Sequence, residues 1–308
     1  MKALAVSALA ALVVGAAAGA GTTARPAFLL SYAMSPRSDP EEGQYLACVS
    51  RSDGADPVRI VGGSLSASAP DWSPDGAKVA FTGWNLPAPF STDHATDVVV
   101  ADARGQLLAN LTAGHPDGGY NPKWSPDGKW IAFISHVLTL TVVRSDGSAP
   151  PRLIPFDDFA GSFDWFPGSK LLAIGTFHGI YSIGLDGGAP HRLLGGAEPD
   201  VSPDGRKLAL IRNIGRSRDL FVANVDGSRP RRLTRGNRVE ADPAWSPDGK
   251  WIAVERIVDP KALFRRDSIV VLRSNGTGAY VAVRAKAYDA FLPAWRSAPL
   301  PEATRASC

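Results

Sequence analysis

Short apolar runs of four or five residues recur along the chain, each cut off by Pro, Asp or Gly before a helical period can be established. Lys78-Val79-Ala80-Phe81, Trp130-Ile131-Ala132-Phe133 and Leu220-Phe221-Val222-Ala223 are examples. Runs of this length between turn formers predict strands rather than helices. Composition agrees: 31 Gly and 25 Pro in 308 residues are about 18% of the chain against a usual ~12%, and each weakens or breaks a helical hydrogen-bond ladder. The expectation is an all-β protein of many short strands.

One segment breaks the pattern. Lys2 precedes small apolar residues from Ala3 to Ala20, ending in Ala18-Gly19-Ala20, the layout of a cleaved secretory signal peptide. Residues 1–20 are therefore expected to be a signal peptide and 21–27 a short linker. The mature protein is expected in the periplasm or outside the cell, without a transmembrane segment after cleavage.

The strands are punctuated by a repeated phrase. Trp72-Ser73-Pro74-Asp75-Gly76 returns as Trp124-Ser125-Pro126-Asp127-Gly128 and Trp245-Ser246-Pro247-Asp248-Gly249, with degenerate copies at Trp165-Phe166-Pro167-Gly168 and Val201-Ser202-Pro203-Asp204-Gly205, and a truncated one at Trp295-Arg296. The prolines are spaced 52, 41, 36 and 44 residues apart, a propeller-blade period. In Ser-Pro-Asp-Gly, Pro fixes φ near −65°, Asp tolerates the next position and Gly takes the left-handed conformation that closes a bulged hairpin. A second series alternates with it: Asp53-Gly54, Arg104-Gly105, Asp146-Gly147, Asp186-Gly187, Asp226-Gly227 and Asn275-Gly276. Two hairpins per period make a four-stranded blade, and counting gives a six-bladed β-propeller of antiparallel blades over residues 28–296, followed by a tail over 297–308. The chain begins with second, third and fourth strands near Phe28, Tyr45 and Val58 and ends with a first strand at Leu292-Pro293-Ala294-Trp295, so the two ends are expected to share a blade and close the ring. The repeated Trp is expected to fill the wedge between blades.

The Trp-Ser-Pro-Asp-Gly-Lys phrase with Ile-Ala-Phe, then Asp-Gly and Arg-Leu-Thr, resembles the WD40-like repeat of TolB-type propellers. Similar repeats occur in the propellers of prolyl oligopeptidase relatives and of oligogalacturonate lyases. TolB carries an α/β domain ahead of its propeller, whereas seven residues separate Ala20 from Phe28 here. Peptidase relatives need an α/β-hydrolase domain; 13 residues follow Trp295 and no Gly-x-Ser-x-Gly occurs. The resemblance thus implies the fold, and function must be argued from sites.

Two readings of function follow. The long loops near Gly83–Thr96, Ala113–Tyr120, Ile257–Asp267 and Ala285–Phe291 fall on the rim opposite the two turn series, and loops on a rigid scaffold carry binding. Charge is uneven: ten basic residues between Arg206 and Arg238 meet only Asp219 and Asp226, a field that can steer an acidic partner. The first reading is a monomeric, non-catalytic binding or scaffold module for a protein or anionic glycan, using Arg212, Arg216, Arg218, Arg235 and Arg238, with no cofactor, metal or nucleic acid. The alternative is a glycan-degrading lyase or hydrolase with a polar or metal site at the axis, built from His115, Asp117, Tyr120, Asp157, Glu198 and Asp242. Among the five histidines, His94, His115, His136 and His178 are placed on the long-loop rim, with no close-spaced ligand pair. Cys48 and Cys308 either bridge, locking the ring, or leave Cys48 as a buried thiol.

Overall fold

The computed structural model describes residues 28–36, 45–52, 57–61, 65–90, 92–93, 95–156, 158, 160–257, 267–284 and 288–296. The expected signal peptide, linker and tail lie outside the described residues, as do the Asp53-Gly54 turn, His94, Asp157 and Cys308.

Among the described residues every regular element is a strand. One sheet runs β24 (Tyr288–Arg296), β1 (Leu29–Pro36), β2 (Leu46–Arg51), β3 (Val58–Arg59), joining the two ends of the chain as the repeat phase requires. Three more have four strands in sequence order: β4 (Ser66–Trp72) to β5 (Lys78–Trp84), β6 (Asp97–Asp102) and β7 (Leu107–Asn110); β8 (Tyr120–Trp124) to β9 (Trp130–Ile134), β10 (Leu140–Arg144) and β11 (Arg152–Leu153); β12 (Ser162–Trp165) to β13 (Leu171–Thr176), β14 (Gly179–Gly184) and β15 (His191–Leu194). The fifth sheet has eight: β16 (Ala197–Val201), β17 (Lys207–Ile214), β18 (Ser217–Asn224) with β19 (Arg231–Arg232) on its edge, then β20 (Val239–Trp245), β21 (Trp251–Ile257), β22 (Ser268–Arg273) and β23 (Tyr280–Arg284).

This eight-stranded sheet departs from the expected run of separate four-stranded blades. Its two halves meet in a single parallel pairing, Arg218 opposite Val239, where Arg218 N donates to Arg238 O at 3.2 Å. The extended β17–β18 hairpin reaches the chain as it turns into β20. Within each half all pairing is antiparallel. The first strands of the repeats touch in succession, β24 to β4, β8, β12, β16, β20 and back to β24.

The Ser-Pro-Asp-Gly turn is tied more firmly than its backbone preferences require. Gly76 has φ 68° and its N–H donates to Ser73 O at 2.7 Å. The Ser73 hydroxyl donates to Asp75 Oδ1 at 2.6 Å and accepts from Lys78 N at 2.9 Å, so the serine staples the first residue of the next strand. The same bonds recur around Ser125, Ser202 and Ser246. In the degenerate copy Ser169, at φ 55°, takes the left-handed position one residue after Gly168. The Asp-Gly turns also pack against the preceding sheet: a Cβ on Gly227, at φ 82°, would lie 2.2 Å from Leu193 O. The Thr of Arg-Leu-Thr has a role too, since Thr234 Oγ1 accepts from Leu220 N at 2.9 Å.

The core lies in the seams between strand sets rather than at one centre. Val49 and Ala67 pack with Phe81 and Val99 across one seam, and Ile134 and Val142 with Phe163 and Leu172 across another. The indole N–H groups of Trp165, Trp245 and Trp295 cross these seams to Lys123 O, Asp200 O and Ala244 O at 2.9–3.1 Å. Those of Trp72 and Trp124 are buried without a hydrogen-bond partner among the described residues.

Cys48 is fully buried in the seam where the chain ends meet, packed with Leu30, Trp251 and Val271. Its expected partner, Cys308, is beyond the described residues. Alkylation of unfolded, unreduced protein should label neither cysteine, and labelling after reduction should mark both; two labelled thiols before reduction would refute the bridge.

Candidate functional site

The first strands share a feature that the repeat phrase does not announce. Two residues ahead of each Trp72, Trp124, Val201, Trp245 and Trp295 position stands a proline: Pro70, Pro122, Pro199, Pro243 and Pro293. Proline has no N–H to give a ladder, and the right-handed helical region is disfavoured for the residue before it. The strand answers with a bulge. Pairing slips between Ser68 and Asp71, Tyr120 and Lys123, Ala197 and Asp200, and Ala241 and Ala244. The preceding residues Ala69, Asn121, Glu198, Asp242 and Leu292 all sit at φ 47–52°. In β12 the equivalent position is Phe163, and its register to β13 is unbroken.

The bulged strands surround a cavity of about 230 Å³ lined by residues from β4, β8, β12, β16, β20 and β24. At one level Lys123 Nζ lies 3.1 Å from Asp164 Oδ1 and 3.3 Å from Asp200 Oδ1. The outer oxygens of the same ring of acids hold the neighbouring strand: Asp71 accepts from Trp124 N, Asp164 from Val201 N and Asp200 from Trp245 N, each at 2.7 Å. At the bulge level Glu198 Oε2 accepts from Asp242 N at 2.9 Å while Oε1 pairs with Arg218.

Electrostatics follow from crowding. Burial pushes Asp71 up to about 7 against the pull of Lys123. Burial, reinforced by the charge of Asp164, does the same to Asp200, and burial with the charge of Glu198 takes Asp242 to about 7. For Lys123, burial alone favours the neutral amine, but Asp164, Asp200 and Asp71 outweigh it and hold the ammonium above its ordinary range.

Of the residues named for an axial catalytic site, Glu198 and Asp242 reach the cavity, from inner-strand bulges rather than from loops. His115, Asp117 and Tyr120 do not line it. The His115 ring meets Phe133 edge-on at 5.8 Å and its Nδ1 accepts from Asp117 N at 3.2 Å. Tyr120 lies 5.7 Å from the His136 ring, whose Nε2 bonds Thr96 Oγ1 at 2.9 Å. His178 Nδ1 meets Asp158 at 2.9 Å, and His191 is exposed in β15. No three His, Cys, Asp or Glu side chains among the described residues are arranged to hold a metal ion. Missing from the expected set were Asp71, Lys123, Asp164 and Asp200; for Asp71 and Lys123 the Pro-Xaa-Trp spacing was an available signal.

The basic residues divide between the two rims. Arg212, Arg216 and Arg218 lie along the β17–β18 hairpin and Arg235 and Arg238 in the β19–β20 connection, on the long-loop side. Arg212 Nε donates to Gly195 O at 2.7 Å. Arg216, Arg235 and Arg238 are exposed and make no ion pair among the described residues. Arg206 and Arg229 belong to the turns of the opposite rim.

No family model matches the chain. It is 30% identical over 169 residues to the uncharacterized protein Atu1656 of Agrobacterium fabrum, covering 46% of this chain and 53% of that one, so the match spans about half the length of this relative. The structure of TolB from Acinetobacter baumannii superposes with a TM-score of 0.71 at 19% identity, over 87% of this chain and 66% of that one. A structure assigned as TolB from Agrobacterium tumefaciens gives 0.60 at 17%, over 89% of this chain and all of the other. The chain has a TolB-like β-propeller fold. An oligogalacturonate lyase in complex with manganese superposes on the TolB-like chain less well, at 0.52 and 14% identity, over 82% of this chain and 72% of that one.

The raised carboxyls of the TolB-like propeller predict a pH dependence. Asp242 binds its proton more tightly folded, at about 7, than unfolded, at about 4. Its stabilising contribution is therefore complete below pH ~4 and lost as pH rises toward 7. Asp242→Asn cannot ionise and tolerates the left-handed backbone. In urea unfolding from pH 5 to 8, wild-type stability should fall more steeply than that of Asp242→Asn, with a ceiling near 1.4 kcal/mol per pH unit for one group; parallel profiles would contradict the assignment.

Proposed function

We propose that the protein is an exported, six-bladed, TolB-like propeller that works as a non-catalytic binding module, presenting its long-loop face to an acidic partner. The eight-stranded sheet is read as two blades bridged at Arg218 and Val239. The observation that carries the functional reading is the division of labour among charges. At the axis, Asp71, Asp164, Asp200 and Glu198 each accept a backbone amide, and Asp164 and Asp200 also hold Lys123 and Glu198 holds Arg218. On the rim, Arg216, Arg235 and Arg238 are exposed and unpaired among the described residues. Groups that build the ring are poorly placed to turn over a substrate, while unpaired guanidiniums on a rigid rim are suited to recognising carboxylate, sulfate or phosphate. Export rests on the Lys2 to Ala20 segment.

Binding of biotinylated dextran sulfate across a salt series tests this. Arg216→Glu with Arg238→Glu should weaken binding at least tenfold and flatten its salt dependence, whereas Arg206→Glu with Arg229→Glu, equal in charge change but on the other rim, should have a smaller effect. Equal effects from the two pairs would remove the basis for assigning the face.

A further inference from the structure

Between the β13–β14 and β17–β18 hairpins, on the long-loop rim, lies an open groove of about 740 Å³. One wall carries Phe177, which is 88% exposed, while the other large exposed apolar side chains among the described residues lie between 37% and 55%. The turn bearing it is fixed from several sides. Thr176 Oγ1 accepts from His178 N at 3.0 Å and donates to Gly179 O at 3.2 Å. The His178 ring is held by Asp158 at 2.9 Å, and Arg192 Nη2 reaches His178 O at 3.4 Å. The aromatic ring is therefore presented to solvent by a braced turn rather than left on a loose one.

The facing wall carries Arg212. Its Nε is locked to Gly195 O at 2.7 Å and its guanidinium lies 5.3 Å from the Phe221 ring centroid. Its two terminal nitrogens have no hydrogen-bond partner among the described residues. The fork is thus pre-oriented and its outer donors are unused, the arrangement that takes a carboxylate. The floor between the walls is Gly195 and Gly196. A Cβ on Gly196 would strike Leu210 Cδ1 at 2.6 Å, whereas one on Gly195 would meet nothing within 4 Å. The floor is bare backbone with open space above it.

We propose that this groove is a binding subsite for a uronate-containing polysaccharide, with the apolar face of a sugar ring on Phe177 and its carboxylate on Arg212. A uronate carries a flat C–H face and a carboxylate in fixed relation on one rigid ring, matching an aromatic and a guanidinium held on opposite walls. An acidic peptide offers the carboxylate on a flexible side chain with no partner for Phe177. The inference rests on the binding-module reading and narrows it to one ligand chemistry at one place.

Titration with alginate oligosaccharides, dextran of matched length and poly-L-glutamate tests it. Alginate should bind, dextran should not, and poly-L-glutamate should bind at least tenfold more weakly than alginate. Phe177→Ala and Arg212→Gln should each weaken alginate binding at least tenfold, and Gly195→Leu, whose Cβ meets nothing within 4 Å and whose side chain occupies groove space, should do the same. All three change groove-lining positions, and circular dichroism checks that each variant folds. Absence of alginate binding, binding unchanged in Phe177→Ala, or poly-L-glutamate binding as tightly as alginate would each overturn the assignment. Dextran sulfate binding separates the two readings: if it persists with its rim dependence while alginate fails, only the groove falls; if both fail, the basic face falls too.

Discussion

The structure depends on how first strands are tied to their neighbours around the axis. On β4, β12 and β16 the tie is a carboxylate that accepts the amide of the following strand, and on β4 and β16 it stands just beyond a bulge at a proline that cannot join the ladder. Asp71, Asp164 and Asp200 make this bond at 2.7 Å, and Lys123 lies between two of them. Three acids converging on one cavity would repel one another. The ammonium offsets part of that repulsion, and burial offsets more by raising Asp71 and Asp200 to about 7. The ring is thus held by local hydrogen bonds whose electrostatic cost is met by one lysine and partial protonation.

The tie also decides what is left for function. Carboxylates engaged with backbone amides have fixed positions, and the cavity they line is small. The rim is different: hairpins of unequal length project from a braced ring, and the β17–β18 hairpin is long enough to pair with the strand entering β20. That reach sets Arg212 and Arg218 beside the β13–β14 turn, where they line one groove with Phe177. An acidic axis and a basic rim coexist in a chain whose formal charge is only +3.

Much of the fold was legible in the sequence because the turns are made of residues with few conformational alternatives. Trp-Ser-Pro-Asp-Gly fixed the hairpins, and the phase of the repeat gave the pairing of β1 with β24. The serine staple was not read, since Ser alone has many uses and only geometry joins Ser73 to both Asp75 and Lys78. The site was less legible. Glu198 and Asp242 were picked as polar residues near loops and proved to be bulge residues ahead of Pro199 and Pro243. Asp71, Lys123, Asp164 and Asp200 were not among the expected residues because a lone charge beside Trp or Val does not by itself mark a site; their meaning comes from convergence of strands that lie far apart in sequence, 41 and 77 residues for the two acids that Lys123 meets. Phe177 was not among the expected site residues either, and its exposure is visible only once its turn is placed on the rim.

The most direct test of the central claim is urea unfolding of Lys123→Met beside Lys123→Met/Asp200→Asn at pH 7. Met preserves most of the volume while removing the charge that faces Asp71, Asp164 and Asp200. Because Lys123 is about a third exposed, the loss should be below the ~3–5 kcal/mol of a fully buried broken pair but still at least ~2 kcal/mol. Asp200→Asn should then restore part of it by removing one uncompensated acid. Stability of Lys123→Met within ~0.5 kcal/mol of wild type, with no recovery in the double variant, would contradict a ring held together by this network.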